Sequence, residues 1–290
     1  MKKFIISTAL AAFTLVSCSC DNKPASYATP AEGARATAQA QYDALAKGDL
    51  NALYTSLPAS FQKDISSVVK AAAGKADADI YKGVSGLLVS FADVGISNSK
   101  LFAEMLSDED NKFTAAEVKN AATALKGFVN KLTLDTLKKG DVAGILASKE
   151  VTELFNLVQK AMPLSVIKFS GAEENEDGSV TLIYKDKDGD EDECDFVNVD
   201  GVWVLDDIAD DWKSNIEELL ETVAEFEIDA ESKAQFMSVL PTLQEGVAAL
   251  KKAKTKEELQ MGLMTMYMPL MMMQMGGGGG FDFDDDADEE

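Results

Sequence analysis

The sequence predicts a mainly helical α+β protein with N-terminal helices, a four-stranded antiparallel meander at about residues 164–206, and C-terminal helices. Three observations lead to this fold class. Apolar residues recur at three- and four-residue spacing over most of the chain, which is typical of amphipathic helices. Thr-x-x-Glu capping boxes begin helices at Thr29, Thr114 and Thr255, and such boxes mark helix N-termini. Asp-Gly dipeptides, which favour tight hairpin turns, lie at 177–178, 188–189 and 200–201.

Helical signals dominate from Thr29 to about residue 162. The first helix is rich in alanine and ends at Gly48, and Asp49 begins a short helix that reaches Pro58. Further helices are expected over apolar positions at helical spacing, in segments 61–72, 80–91, 118–129 and 151–158. The pattern Asp-x-Leu-x-Lys-Gly-Asp occurs at 43–49 and again at 135–141. It indicates either an internal duplication or the same helix-capping chemistry used twice.

The meander is expected to turn at each Asp-Gly dipeptide. A two-residue type I′ turn at Asp188-Gly189 would place Lys185 opposite Asp192 and Ile183 opposite Cys194. This register sets opposite charges against each other, which stabilises a β-ladder. We therefore expect 180–187 to pair with 190–197, and 194–199 to pair with 202–206.

The C-terminal part is again expected to be helical. One amphipathic helix runs from Trp212 to Phe226, and a second covers 236–250 with Pro241 bending it. The third capping box opens a helix that holds eight of the chain's twelve methionines and ends at Met275. Beyond it, 276–290 reads as a glycine linker followed by an acidic disordered tail, FDFDDDADEE.

The sequence predicts a targeting signal at the N-terminus. Lys2 and Lys3 precede an apolar run of 13 residues, 4–16, which is too short to span a bilayer and has the length of a signal-peptide core. The run ends in Leu-Val-Ser-Cys at 15–18, which resembles the lipobox of bacterial lipoproteins. The resemblance implies cleavage before Cys18 and acylation of that cysteine with diacylglyceryl and palmitate-type chains. Ser19, where an Asp would signal retention, then implies the outer membrane.

These features define the expected organisation of the chain. A signal peptide occupies 1–17, a lipidated tether 18–28, and a single α+β domain 29–275. The alternative divides this domain into a helical part, 29–162, and a second part, 163–275. The linker and tail occupy 276–290. The mature protein is expected in the bacterial cell envelope, held to the membrane by its lipid.

Composition excludes several classes of function. The chain has 50 acidic and 27 basic residues, a net charge of −23, and no histidine. The absence of imidazole removes the His-based catalytic triads and zinc sites. The acidic balance argues against nucleic acid as a partner. Residues 171–230 alone hold 22 acids and three lysines, which we interpret as a solvated face, with a basic partner or divalent cations as the alternative.

A resemblance to a known fold rests on two short motifs. The sequence Leu-Ala-Lys-Gly-Asp-Leu-x-Ala-Leu at 45–53, after an alanine-rich helix, resembles the opening of nuclear-transport-factor-two-like (SnoaL-like) domains, which several uncharacterised envelope lipoproteins share. Asp-Gly-x-Trp at 200–203 is similar to one of their later hairpins. The resemblance implies a cone-shaped α+β fold with a pocket between helices and a curved sheet. The His and Asp residues of the catalytic members have no match in this chain.

Candidate ligand sites are few. With Gly189 at position 6 of a calcium loop, Asp186, Asp188 and Asp195 fall at positions 3, 5 and 12, but Tyr184 at position 1 does not fit. A solvated hairpin rim is the preferred interpretation. Cys20 and Cys194 can pair in an oxidising envelope or stay as thiols. No catalytic, cofactor-binding or metal residue is predicted, and lipidation at Cys18 is the one assigned site.

The methionine-rich helix at 261–275 has three interpretations. It can pack onto the body of the protein, contact a protein partner or membrane surface, or bind Cu(I) through Met264, Met266 and Met268. Packing is the preferred one. The expected function is that of a lipid-anchored structural or interaction module without enzymatic activity. The alternatives are a small-ligand-binding domain with a cone-like pocket, and a hydrolase.

Overall fold

The computed structural model describes residues 27–107, 112–161, 167–185 and 189–276, with side-chain surroundings given up to Met266 in the last segment. The expectations for Cys18, Cys20, Asp186, Asp188 and the tail beyond Gly276 lie outside the described residues. Within them the protein is a mainly helical α+β structure with one antiparallel sheet, as the sequence predicts.

The elements follow one another with short connections. The N-terminal helices are α1 (Pro30–Lys47), α2 (Leu50–Tyr54), α3 (Ala59–Lys75), α4 (Ala78–Ser97), α5 (Ser99–Leu106), α6 (Ala115–Lys131), α7 (Leu134–Lys139), α8 (Val142–Leu146) and α9 (Lys149–Ala161). The strands are β1 (Lys168–Glu174), β2 (Val180–Lys185), β3 (Glu191–Val199) and β4 (Val202–Leu205). The C-terminal helices are α10 (Asp206–Glu225), α11 (Ala230–Leu250) and α12 (Lys256–Gly276).

These elements form two compact units, each assembled from two separate stretches of chain. Unit 1 takes the residues up to Ala76 together with Gly127–Glu227, and unit 2 takes Asp77–Lys126 together with the residues from Ile228 onward. Unit 1 therefore contains the whole sheet, whereas the described part of unit 2 contains helices and their connections but no strand.

The three predicted capping boxes begin helices. The hydroxyl oxygens of Thr29, Thr114 and Thr255 each accept the backbone N–H three residues later, at 3.2 Å. At Thr114 the reciprocal bond is also present, because its N–H donates to Glu117 at 2.7 Å. Each bond satisfies a donor that the first turn of a helix would otherwise leave without a partner.

The sheet is a meander of order β1-β2-β3-β4, and its hairpins are antiparallel. The hairpin between β3 and β4 has the predicted register, with Val199 opposite Val202. Its turn residues Asp200 and Gly201 both adopt positive φ, 54° and 84°, as a type I′ turn requires.

The predicted register of β2 and β3 is wrong by one residue. Leu182, not Ile183, lies opposite Cys194, and Lys185 lies opposite Glu191 rather than Asp192. A one-residue slip moves every side chain to the other face of a strand. The observed register puts Val180, Leu182 and Phe196 on one face, where all three are buried. Burial of these side chains outweighs the exposed charge pairs, and the Lys185–Glu191 ion pair at 3.1 Å keeps opposite charges together.

The first Asp-Gly dipeptide also makes a different turn from the one expected. Asn175 and Ser179 close the β1–β2 hairpin with a backbone bond of 2.9 Å, so the loop between them has three residues. Only Gly178 in this loop has positive φ, at 90°. A three-residue loop whose last residue is a left-handed glycine is a common alternative to the type I′ turn.

Unit 1 packs helices on both faces of the sheet. On one face, α1 places Ala34 and Ala38 against Val180, Leu182 and Phe196. A Cβ at Gly33 would lie 2.8 Å from Nε1 of Trp203, so helix and sheet leave no room for even one methyl group. On the other face, residues of α2, α3 and α10 enclose a second cluster, formed by Tyr54, Leu57, Phe61, Val204 and Trp212.

Unit 2 is a set of helices around a filled core. Its centre is formed by Val94, Phe102, Ala103, Val118, Val247, Leu250 and Leu259. Polar contacts fix the packing at both ends of α4. Lys233 Nζ on α11 lies 2.8 Å from Asp77 and 2.7 Å from Asp79, and the Asn98 amide donates to the Leu250 carbonyl at 2.7 Å.

Candidate functional site

The methionine-rich helix α12 divides into a packed face and an exposed face. Leu259 is completely buried in the core of unit 2, and Leu263 and Met266 pack against the same core. These three residues follow the three-four spacing of one helix face. The preferred interpretation, packing onto the body, is therefore correct for this face.

The other face of α12 is open. Met261 is 61% exposed and Met264 is 70% exposed, the largest values among the large apolar side chains described as exposed. The two residues are three positions apart and therefore lie on the same side of the helix. We refer to Met261 and Met264 as the methionine face. Exposed, flexible thioethers adapt to partners of varied shape.

The helical geometry disfavours the Cu(I) interpretation. Met264 is exposed, whereas Met266 packs against the core, because residues two positions apart on a helix project in nearly opposite directions. Their sulfur atoms do not converge as ligands of one ion must. The side chain of Met268 lies outside the described surroundings.

A hollow of about 560 Å³ lies between α11 and α12, and Gly262 in its wall is the neighbour of Met261 in sequence. Small residues form much of its wall, namely Ala248, Ala249 and Ala253 on the α11 side and Gly262 on α12. Lys252, Glu245 and Glu258 stand at its margin. The hollow is mainly apolar and opens to solvent, so it can accept an apolar side chain from another segment.

The acids of 171–230 that the structure describes are exposed on strand rims, turns and helix faces, apart from Asp206, as the solvated interpretation expects. Asp206, the first residue of α10, directly follows strand β4 and is only partly exposed. Burial raises the pKa of the Asp206 carboxyl, and the nearby charges of Asp210, Asp195, Asp207 and Asp177 raise it further. Within the described segments, no three Cys, Asp or Glu side chains gather in a way that could hold a metal ion.

Asp195 belongs to the ladder of β3 rather than to the hairpin loop. Its carboxylate accepts a hydrogen bond of 2.6 Å from the hydroxyl of Thr181 on β2. It lies four residues beyond Glu191, where β3 begins, which is ~13 Å along a strand. Two oxygen ligands of one calcium ion lie at most ~5 Å apart, because each is ~2.4 Å from the ion. Asp195 is therefore badly placed to complete a calcium loop centred on Gly189.

Cys194 is a half-buried free thiol. Burial raises its pKa to about 11, and Asp195 and Asp192 contribute in the same direction. The thiol is therefore protonated at neutral pH and is a weak nucleophile, because the thiolate is the reactive form. Pairing with Cys20 stays a prediction, since Cys20 lies outside the described residues.

Sequence reasoning missed the lysines that follow the hollow. Lys251, Lys252, Lys254 and Lys256 fall within six residues of a very acidic chain. We refer to these four residues as the lysine cluster. Lys251, Lys252 and Lys254 are exposed, and no acidic side chain within the described ranges forms an ion pair with them. A scan for charge runs of the minority sign would have found this segment.

Comparison with known proteins adds no relative. No protein-family model matches the chain, no curated protein is similar to it, and no solved structure matches its fold. In the parts that the structure describes, no helix is both long enough and apolar enough to cross a membrane.

Proposed function

We propose that this protein is a lipid-anchored interaction module of the bacterial cell envelope. Leu-Val-Ser-Cys at 15–18, after a short apolar segment with lysines in front, supports acylation of Cys18. Several acyl chains together hold a protein on a membrane, since each buried CH₂ contributes ~0.8 kcal/mol. Ser19 supports the outer membrane as the destination.

The observation that carries the interaction role is the methionine face. Met261 and Met264 remain largely exposed on a helix whose opposite face is buried in the core. Exposing adjacent apolar side chains loses the free energy that their burial would contribute. A protein surface that covers them would recover it, and the adjoining hollow offers a recess for an apolar anchor of that surface.

The packing of unit 1 favours this role over a small-ligand site. The resemblance to nuclear-transport-factor-two-like domains implies a pocket between helix and sheet, but Ala34, Ala38 and Trp203 fill that position. A hydrolase would need two carboxyl groups facing each other in a cleft. Around Asp206, the Asp195 carboxylate is hydrogen-bonded to Thr181, and Asp207 and Asp210 are exposed. These carboxyl groups therefore do not form the facing pair that a hydrolase would need.

The anchor is tested by metabolic labelling with an alkyne fatty acid. The wild-type chain should be labelled and should sediment with membranes, whereas Cys18→Ser should lose both properties. Cys20→Ser is the matched control, two residues away, and should behave like the wild type. Undiminished labelling of Cys18→Ser would show that the anchor lies elsewhere.

The interaction role is tested by photo-crosslinking in cells. A photoreactive amino acid at position 264 should give a discrete adduct of higher mass, and the same probe at Leu219, an exposed residue of α10 that is 47% exposed, should not. Adducts with lipid alone would assign the face to the membrane surface. Equal adduct patterns at both positions would contradict a specific docking face.

A further inference from the structure

Helix α11 presents a row of exposed side chains along the hollow. Four exposed residues form this row: Glu245, Ala248, Ala249 and Lys252. Their spacing of three, four and seven residues places them on one side of the helix. We refer to these four residues as the α11 face. An acid stands at one end of the α11 face, a base stands at the other, and neither forms an ion pair within the described ranges.

Helices α11 and α12 run antiparallel in a defined register. A Cβ at Gly262 on α12 would meet the side chain of Leu250 on α11. A Cβ at Gly246 on α11 would lie 3.5 Å from Cβ of Met266 on α12. Four residues forward along α12 therefore correspond to four residues back along α11.

The methionine face and the α11 face belong to one outer surface of unit 2. In this register Met264 stands level with Ala248, near the middle of the α11 face. Leu259 on α12 and Val247 on α11 are buried in the core of unit 2, on the opposite sides of their helices. Both faces therefore point away from the core, and an apolar strip of α12 lies beside the charged and small residues of α11.

The net charge of this surface is unusual for the chain. Residues 241–266 contain four lysines, the lysine cluster, and three acids, Glu245, Glu257 and Glu258, which gives a net charge of +1. The whole chain has a net charge of −23, so two copies of it repel each other. A nearly neutral surface with charges of both signs lets two copies meet without that repulsion.

From these observations we propose that the methionine face docks against a second copy of this chain, across a twofold axis that passes between Ala248 and Ala249. This assignment rests on the proposed interaction role and names its partner. A twofold axis perpendicular to α11 sets the helix antiparallel to its copy. Glu245 of each copy then stands opposite Lys252 of the other, because both residues lie ~5 Å from the axis along the helix.

The charges select this arrangement of the two helices. A parallel pair would set Glu245 opposite Glu245 and Lys252 opposite Lys252, and like charges facing each other are destabilising. The antiparallel pair makes the favourable contact twice. The alanines at the axis are small, which allows the close approach of two packed helices, with axes ~8–10 Å apart.

The same axis brings the two methionine faces together. Met261 and Met264 lie within ~4 Å of the level of the axis, at 1.5 Å per residue. Each methionine face therefore meets the methionine face of the other copy. Flexible thioether side chains adapt to such a contact, and burying them recovers the free energy that their exposure loses.

Charge reversal tests the antiparallel pair. The full chain, purified with its lipid in a mild detergent, is followed by sedimentation over a series of concentrations, which gives the dissociation constant of the dimer. Glu245→Lys and Lys252→Glu should each weaken the dimer about tenfold or more, because each sets like charges opposite each other at two places. The double variant exchanges the two charges and should restore most of the affinity.

Mixing the two single variants provides an independent result. An equimolar mixture of Glu245→Lys and Lys252→Glu chains, one of them labelled with heavy isotopes, should form a mixed dimer, because every acid at the contact again faces a lysine. A different protein as the partner would give no such rescue. Glu221→Lys on α10 and Lys138→Glu on α7 are matched controls at exposed positions and should leave the dimer unchanged. Far-UV circular dichroism shows that each variant keeps its helices.

Two results would overturn the inference. The wild-type chain would sediment as a monomer at every concentration, or the double variant would dimerise no better than the single variants. Photo-crosslinking at position 264 separates these failures from that of the proposed function. An adduct that contains a different protein would exclude only the second copy as the partner, whereas the absence of any protein adduct would exclude the interaction role itself.

Discussion

Gly48 and Gly140 end their helices in the same conformation, 92 residues apart, with φ of 69° and 66°. Each is followed by an aspartate that caps a five-residue helix: Asp49 accepts the N–H of Ala52 at 2.7 Å, and Asp141 accepts that of Gly144 at 2.9 Å. The two short helices, α2 and α8, pack against each other.

The packing around the two glycines is reciprocal. A Cβ at Gly48 would lie 3.0 Å from Cδ1 of Phe155 on α9, and a Cβ at Gly140 would lie 3.0 Å from the Ser66 carbonyl oxygen on α3. Helices α3 and α9 each follow one of the short helices. Shared capping chemistry explains the matching turns, but it does not explain why the third helix of each set covers the glycine of the other. This arrangement favours an internal duplication.

The first prediction concerns these two glycines. Gly48→Ala and Gly140→Ala should each lower the free energy of unfolding by about 1 kcal/mol or more, because alanine is strained at positive φ. Urea unfolding measures the change. Gly74→Ala on α3, where a Cβ meets nothing within 4 Å, is the matched control. It should stabilise the protein by roughly 0.5 kcal/mol, since alanine favours the helix. A stabilising effect at Gly48 would contradict the assigned cap.

A second prediction concerns the contact between α1 and the sheet. Gly33→Ala should destabilise the protein by ~1–3 kcal/mol through overpacking against Trp203, although the same change in an open helix position is favourable. Tryptophan fluorescence should shift as the Trp203 ring moves. An unchanged emission spectrum together with increased stability would mean that α1 and the sheet are separated by an open space, as expected for a ligand pocket.

The third prediction addresses the hairpin turns. Gly201→Val and Gly189→Val should each lower stability by about 1 kcal/mol or more, because a β-branched residue resists positive φ. Gly201→Asn should have a much smaller effect, since asparagine tolerates the left-handed region. Thermal unfolding compares the variants. Equal losses for Val and Asn at 201 would argue against the type I′ turn.

A fourth prediction follows from Asp206. The pKa of its carboxyl is raised in the folded state. The ionised carboxyl therefore destabilises the folded protein, and protonation removes this destabilisation. Asp206→Asn should therefore raise the melting temperature at pH 7, and the gain should vanish at about pH 3, where both states are protonated.

Asp229 provides the opposite control. Hydrogen bonds from Ser232 lower its pKa, so its contribution to stability is present at neutral pH and is lost as the pH falls through the folded pKa. Asp229→Ala should lower the melting temperature at pH 7 and have less effect near pH 3. The same pH trend in both variants would show that the surroundings of Asp206 are not repulsive.

Local signals in the sequence predicted a large part of the fold. The caps at Thr29, Thr114 and Thr255, and the turn at Asp200-Gly201, depend on residues within a few positions of each other. Helix α5 was missed because its start carries no local signal. The side chain of Asn98 makes no capping bond and instead reaches Leu250, 152 residues away.

Features that depend on burial were less predictable. The register of β2 and β3 buries Val180, Leu182 and Phe196 on one face of the sheet. The sequence-based prediction considered only the pairing of charges across the hairpin and therefore chose the wrong register. The spacing of methionines in α12 identified two faces but not which one would be covered. Leu259 decided that, since it enters the core of unit 2.

The discontinuous composition of unit 2 has a consequence for how the protein is made. Val94 and Phe102 bury themselves against Leu250 and Leu259, which are synthesised some 150 residues later. At 5–20 residues per second, the apolar helix α4 waits for roughly 8–30 seconds before its core partners are synthesised. The nascent chain must therefore keep this segment from aggregating, so we expect holding chaperones to bind nascent residues 78–106 during synthesis.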